Sequence, residues 1–270
     1  MKAELSIWSQ YYYEMSPEDA VEEFLKHGIR ACELSDEHGR ELLERGEDVV
    51  ATGKAFASFL RERSFSVPQG HLWLKIKLCS DPTALEILFR WIDLYEAIGI
   101  RNMVLHCDTS LPEEWGFETR AAQNIEKLKA LAAYIEGRDI TVCLENLRMF
   151  TKSAEELLYI IDRVGSKQLG ICLDTGHLNL TVRDQRAFIL SAGKRLRALH
   201  IADNEGERDQ HMMPFTRGTV DFVSVVRALR EVDYEGLFNL EIPGESHIPL
   251  ELRGAKIRYI QSCYDYLMRC

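Results

Sequence analysis

The sequence predicts an α/β fold, a single (β/α)8 TIM barrel over residues 1–270. Three observations carry this. Short β-rich runs alternate with longer stretches of helical amphipathicity, eight times along the chain. Strict alternation implies a parallel sheet, because a parallel pair needs a long crossover, usually a helix. A chain of 270 residues with no linker, low-complexity tract or break in composition favours closing that sheet over leaving it open.

The expected strands are 4–9 (ELSIWS), 29–35 (IRACELS), 64–70 (SFSVPQG), 101–107 (RNMVLHC), 140–146 (ITVCLEN), 169–174 (LGICLD), 196–203 (LRALHIAD) and 237–242 (LFNLEI). Helices fall between them. The run S-P-E-D at 16–19 opens the first, with Ser16 as cap, Pro17 at the first helical position and acids in the first turn; D-P-T-A at 81–84 is read as the same device. Ser153 with Glu156 three residues on suits a capping box, and apolar stripes mark helices over 119–136, 184–191, 220–231 and 250–268. Gly28, Gly99, Gly137 and Gly165 fit helix ends just before the next strand. The charged stretch 36–63 reads as one broken helix or two.

Composition is that of an ordinary globular chain, 46% hydrophobic and 28% charged. A net charge of -10 gives a field that repels polyanions, although a local basic cleft could still bind them, so nucleic acid is the less favoured partner. Lys2 and Glu4 interrupt the N-terminal apolar residues and no run of 18 apolar residues occurs, so neither signal peptide nor membrane span is expected and the location is read as cytoplasmic. The seven cysteines are scattered without a C-x-x-C pair and read as small buried hydrophobes.

Barrel enzymes place their chemistry at the C-terminal ends of strands. Here His71 follows strand three, His106 ends strand four, Glu145 ends strand five and Asp174 ends strand six with His177 just beyond. His200 lies near the end of strand seven, Glu241 ends strand eight, and the segment after strand seven adds Asp203, Asp209 and His211. Each alone is most simply a hydrogen-bonded structural histidine, a helix cap or a surface charge. Jointly, strand ends facing one mouth bring His, Glu, Asp, His and Glu together with no helix cap to absorb them. Mixed imidazole and carboxylate ligands suit Zn, Mn, Co or Mg, and the lack of converging thiolates argues against a structural cysteine-type zinc site. Asp209 and His211, two residues apart, would point to one side of an extended segment and are candidates for a further metal contact.

The stretches VCLEN (142–146), ICLDTGH (171–177), LHIADNEGERDQHMMPFTRGTVDF (199–222) and LFNLEIPGE (237–245) resemble the xylose-isomerase-like TIM barrels. That superfamily contains sugar-phosphate isomerases and epimerases and the endonuclease IV type of apurinic endonuclease. Resemblance to the ketose 3-epimerases implies one divalent metal held by Glu145, Asp174, His200 and Glu241, with His177 touching substrate. It also implies that Glu145 and Glu241 serve as paired acid/bases on opposite faces of a metal-stabilised enediolate. Arg208 is a candidate for the arginine that 3-epimerases carry six residues after the strand-seven histidine, where this chain has Gly206. The substrate implied is a small sugar, sugar phosphate or related polyol, and the assembly implied is a dimer or tetramer.

Resemblance to endonuclease IV implies a different outcome, a trinuclear zinc site, for which the matching positions His71, His106, His177, Asp209 and His211 are all occupied. Histidines after strands three and four and a D-x-H after strand seven also occur among sugar isomerases, so they do not exclude a single-metal site, in which His71 and His106 are candidates for substrate binding. Where both groups often show a G-x-G turn, this chain has PFTRGTVDF with only Gly218. The loops WSQYYYEMS and LSDEHGR carry little basic character, which tilts the reading toward sugar chemistry. Trp8 and tyrosines 11–13 are candidates for pocket walls or core, and Arg40, Arg148, Arg208 and Arg217 for holding a phosphate or carboxylate.

Overall fold

The fold was obtained as a computed structural model that describes residues 3–270; Lys2, used in the N-terminal reading, lies outside the described residues. Eight strands form one sheet in the order β7-β6-β5-β4-β3-β2-β1-β8. They are β1 Glu4–Trp8, β2 Ala31–Leu34, β3 Ser66–His71, β4 Asn102–Leu105, β5 Thr141–Glu145, β6 Leu169–Asp174, β7 Leu196–His200 and β8 Leu237–Leu240. Every ladder is parallel. The seam between β7 and β8 closes through the Ile201 and Leu240 bridge, with Ile201 N–H donating to Asn239 O at 2.8 Å and Glu241 N–H to Ile201 O at 3.1 Å. The molecule is therefore a (β/α)8 barrel, as the alternation predicts.

The principal helices are α1 Pro17–Lys26, α2 Asp36–Glu44, α3 Val49–Glu62, α4 Ala84–Ile98, α5 Gly116–Ile135 and α6 Ala154–Val164. After them come α7 Thr175–Asn179, α8 Gln185–Ala192, α9 Phe222–Glu231 and α10 Leu250–Leu267. Ser16 caps α1 by accepting the Asp19 amide, with Pro17 at the first position. Ser153 accepts the Glu156 amide at 3.3 Å, but Glu156 reaches back to the Lys152 amide, one residue further than a capping box requires. The 36–63 stretch is two helices, with Ser35 capping α2 and Asp48 capping α3. At 81–84 the expected device is absent: Asp81 accepts the Thr83 amide at 2.8 Å in a tight turn, and α4 starts only at Ala84. Gly28, Gly99, Gly137 and Gly165 all have φ between +76° and +104°, the left-handed conformation that closes a helix.

Alternation along the strands separates two apolar layers. Side chains facing outward, such as Leu105, Leu144, Leu173 and Leu199, join the large core beneath the helices, each fully buried aliphatic contributing roughly 1.5–3 kcal/mol. Inside the barrel a small cluster of Val104, Cys143, Cys172 and Ala198 is separate from that core. Tyr11 and Tyr12 are wholly buried and belong to the outer core, so they are not pocket walls, whereas Tyr13 is exposed. Among the described residues all seven cysteines are free, and no helix is long and apolar enough to cross a membrane.

Candidate metal centre

At residues 171–177 an apolar strand runs into Asp174, Thr175, Gly176 and His177, and each residue meets a different need. Asp174 caps α7: its Oδ1 accepts the His177 amide at 2.6 Å. Its Oδ2 is buried with no hydrogen-bond partner among the described residues. The expectation that no cap absorbs these carboxylates is thus corrected, since half of Asp174 holds a helix start and half remains for the barrel mouth. Thr175 Oγ1 donates to Ala202 O at 2.7 Å and accepts the Ala202 amide at 3.0 Å, tying the tip of β6 to the chain beyond β7. At Gly176 a Cβ would stand 3.2 Å from Asn204 Nδ2, which donates to the Gly176 carbonyl at 2.8 Å.

Glu145 ends β5 one residue before Asn146, whose side chain locks β5 to β6. Asn146 Oδ1 accepts the Asp174 amide at 2.7 Å and Nδ2 donates to Asp174 O at 2.9 Å. The Glu145 carboxylate is the centre of the cluster. Oε2 lies 3.0 Å from His106 Nε2, 3.3 Å from His200 Nδ1 and 3.5 Å from His71 Nε2, and Oε1 lies 3.1 Å from His177 Nδ1. Glu241, just past β8, brings Oε2 to 3.2 Å from the same His200 Nδ1. Donor atoms of Glu145, Asp174, His200 and Glu241 all fall within 4.8 Å of one another.

Four buried atoms at this mouth have no hydrogen-bond partner among the described residues: Asp174 Oδ2, His200 Nδ1, Glu241 Oε2 and His71 Nε2. An unsatisfied buried polar atom costs about 1–3 kcal/mol. Their convergence is what a divalent cation with imidazole and carboxylate ligands would satisfy, so the residues fit a metal. His71 is oriented for this: its Nδ1–H donates to Leu72 O at 2.6 Å, which leaves Nε2 facing the cluster.

Imidazoles and carboxylates face one another across the site. Burial pushes Asp174 up to about 8, with the Glu241 and Glu145 charges adding to it against the pull of His177. Burial would raise Glu145 and Glu241 too, but His200 and His106 hold Glu145 well below the carboxylate range, and His200 and His211 hold Glu241 at about 2. His211 is raised to about 10 against its burial, first by the hydrogen bond to Asp209 and then by the Glu241 charge.

The loop after β7 completes the mouth. One oxygen of Asp209, Oδ2, lies 3.1 Å from His177 Nε2 and 3.2 Å from His211 Nε2. His211 Nδ1–H donates to Glu241 O at 2.8 Å, in a left-handed backbone conformation of φ +44°. For a residue other than glycine that conformation costs about 1–2 kcal/mol, so the ring's position is held by its surroundings. Trp8 stacks over His211 with centroids 6.4 Å apart. Asp203, by contrast, is scaffold, its Oδ1 accepting the amides of Asn204 and Val220.

Of the residues singled out in the sequence, Glu145, Asp174, His177, His200, Glu241, His71, His106, Asp209 and His211 come together at one mouth. Arg208 does not join them and is exposed on the loop; Arg217 pairs with Glu205 at 3.5 Å, and Arg40 lines a separate surface pocket. Sequence reasoning missed Glu33, Asn146 and Cys172. Cys172 corrects the expectation of no converging thiol, because its sulfur lies within 4.8 Å of donor atoms of Glu145 and His200. The signal was the period of two: Cys172 stands two residues before Asp174, on the same face of β6. Glu33 was likewise visible as a lone acid inside an apolar strand.

Comparison with known proteins gives a consistent picture. A model of the "Xylose isomerase-like TIM barrel" family matches residues 21–263. A D-psicose 3-epimerase of Enterocloster bolteae is 27% identical over 133 residues, 48% of this chain and 41% of that protein. A probable endonuclease 4 of Mycoplasmopsis pulmonis is 30% identical over 112 residues, 37% of this chain and 40% of that protein. The chain spans about half the length of the curated relatives it matches. Among solved structures, a D-psicose 3-epimerase with D-tagatose from Clostridium cellulolyticum superposes over 100% of both chains with a TM-score of 0.83 at 16% identity, which shows a shared fold.

Proposed function

Since the chain belongs to the xylose isomerase-like TIM barrel family, we propose that it is a divalent-metal-dependent isomerase or epimerase of a ketose, sugar phosphate or related polyol. The observation that carries this reading is the convergence of Glu145, Asp174, His200 and Glu241, with buried atoms of Asp174, His200 and Glu241 left without hydrogen-bond partners. These four residues would hold the ion. When bound, it would supply Lewis-acid stabilisation of the negative charge that develops on substrate oxygens as an adjacent C–H bond loses its proton.

The chain's own residues account for the remaining chemistry. Glu145 and Glu241 each bring a buried carboxylate to the mouth, and each would accept or return a proton at a carboxylate oxygen. In an epimerisation one takes the proton from the substrate carbon and the other returns one, inverting that carbon. His177, mostly buried and fixed through Nδ1 to Asn146 O at 3.0 Å, would hold a substrate hydroxyl through Nε2 in exchange for its contact with Asp209. His106, partly exposed beside Glu145, would do the same. The test is solvent exchange: ketoses incubated with metal-loaded protein in D2O should gain deuterium at the carbon beside the carbonyl, and a screen of ketoses and ketose phosphates with no exchange would reject the reading.

A second reading has its own support in His71, His106, Asp209 and His211, which crowd the same mouth and supply more ligands than one ion needs. This reading is a phosphodiesterase of the apurinic endonuclease type with clustered zinc. Metal analysis separates the two. About one ion per chain supports the sugar reading, while close to three zincs with cleavage of an abasic-site duplex supports the other.

A further inference from the structure

We propose that Glu33 is a positioning residue of the metal centre, setting through His200 which imidazole nitrogen faces the ligand carboxylates; this rests on the metal-centre reading above. Glu33 lies in β2, across the barrel interior from β7, and is wholly buried, as are His200, Asn239 and Ser6. Its Oε1 accepts from His200 Nε2 at 3.0 Å and its Oε2 accepts from Asn239 Nδ2, while Asn239 Oδ1 accepts from Ser6 Oγ at 2.5 Å. The chain of bonds has one self-consistent direction. Because the Ser6 hydroxyl donates to the Asn239 oxygen, the Asn239 amino group must face Glu33, and each Glu33 oxygen accepts from the donor it faces.

An acceptor-only neighbour requires the proton on Nε2 of His200. That leaves Nδ1 as the nitrogen with a lone pair, and Nδ1 is the atom that stands 3.3 Å from Glu145 Oε2 and 3.2 Å from Glu241 Oε2 without a hydrogen-bond partner. A carboxylate behind a ligating histidine both fixes its tautomer and raises its basicity. A carboxylate buried without water is costly unless such pairing satisfies it. A role in barrel packing alone would need only a polar side chain of the same shape.

Glutamine supplies that shape and separates the two roles. Glu33→Gln replaces an acceptor pair by one acceptor and one amino group, so either His200 or Asn239 meets a donor head-on. If it is His200, the ring takes the other tautomer and Nδ1 is blocked; if it is Asn239, Nδ1 keeps its lone pair but loses the basicity that the carboxylate behind the ring confers. Zn2+ affinity, measured by competition with a chromophoric chelator, should fall roughly 10- to 100-fold in Glu33→Gln. The double variant Glu33→Gln with Asn239→Asp should recover close to wild-type affinity, because the new aspartate accepts from the new amide and the new amide oxygen again accepts from His200.

Unchanged affinity in Glu33→Gln would overturn the proposal, and so would a double variant as weak as the single one. Failure of the wild-type protein to bind Zn2+ would reject the metal-centre reading itself, a result distinct from either. Should the single variant not fold, 15N NMR of histidine-labelled, Zn2+-loaded wild type decides: a proton on His200 Nε2 is expected, and a proton on Nδ1 would overturn the assignment.

Discussion

Glu145 and Glu241 converge on one atom, Nδ1 of His200, which lies 3.3 Å from the first carboxylate and 3.2 Å from the second. Two carboxylates from β5 and the end of β8 therefore share one imidazole nitrogen, and in the proposed reaction both are proton carriers. Replacing either by glutamine keeps the shape and removes the base. Glu145→Gln and Glu241→Gln should each lower turnover and solvent exchange by about 10²- to 10⁴-fold. Deuterium incorporation followed by NMR checks this, with circular dichroism confirming the fold; full exchange in both variants would sink the two-base scheme.

Metal removal should be visible as lost stability. Ligand present at 100 times its dissociation constant stabilises the folded state by about 2.7 kcal/mol, which for a chain of this size is roughly 5–10 °C in Tm. Chelation should therefore lower Tm by about that amount, and re-addition of Mn2+ or Zn2+ should restore it. Asp174→Asn separates two functions of one side chain. The new amide oxygen still caps α7, while an amino group replaces Oδ2, so the metal-dependent shift should shrink while metal-free Tm changes little.

Gly218 is required by a close approach rather than by its backbone angles. A Cβ there would stand 2.1 to 2.3 Å from the Asp203 carboxylate, whose Oδ1 holds the Val220 amide. Gly218→Ala should force that carboxylate away and loosen the loop carrying Asp209 and His211. A cost of about 1–3 kcal/mol is expected, read as a lower Tm with weakened exchange activity. An alanine variant with wild-type Tm would show that Asp203 is dispensable to the loop.

Asp108 provides a pH prediction away from the mouth. Burial alone would raise its carboxyl, but hydrogen bonds from Ser110 and the Cys79 amide outweigh that and hold it below its ordinary 3.8. A carboxyl lowered on folding adds stability above its unfolded value and loses it as pH falls through the folded one. Asp108→Asn should therefore destabilise the protein at pH 7 by on the order of 1–3 kcal/mol. The gap from wild type should narrow as pH drops below 3.8, as urea titrations at several pH values would reveal.

Much of this architecture was legible in the residues because local chemistry sets it. Ser16 with Pro17 announces α1 wherever the helix later packs, and period-two apolar runs announce strands. The D-T-G-H run, the strand-end glutamates and the D-x-H of 209–211 were visible because a carboxylate or imidazole beside a buried strand is expensive without a partner. Local signals misled where two residue types compete for one role. Asp81 and Pro82 looked like a helix start, but Thr83 took the Asp81 carboxylate into a turn and the helix waited for Ala84.

The sequence by itself determined the alternation, the helix starts, the positive-φ glycines and the inventory of donors at strand ends, all properties of a residue and its near neighbours. Only the tertiary structure decided who meets whom. Glu33 and His200 are 167 positions apart, and Asn239 and Glu33 are 206 apart. Those pairings exist because closing the sheet through the β7 and β8 seam brings inward-facing positions from distant strands into one interior. Barrel closure, not spacing along the chain, sets that proximity, and with it which carboxylate holds a histidine and which is left at the mouth with an unpartnered oxygen.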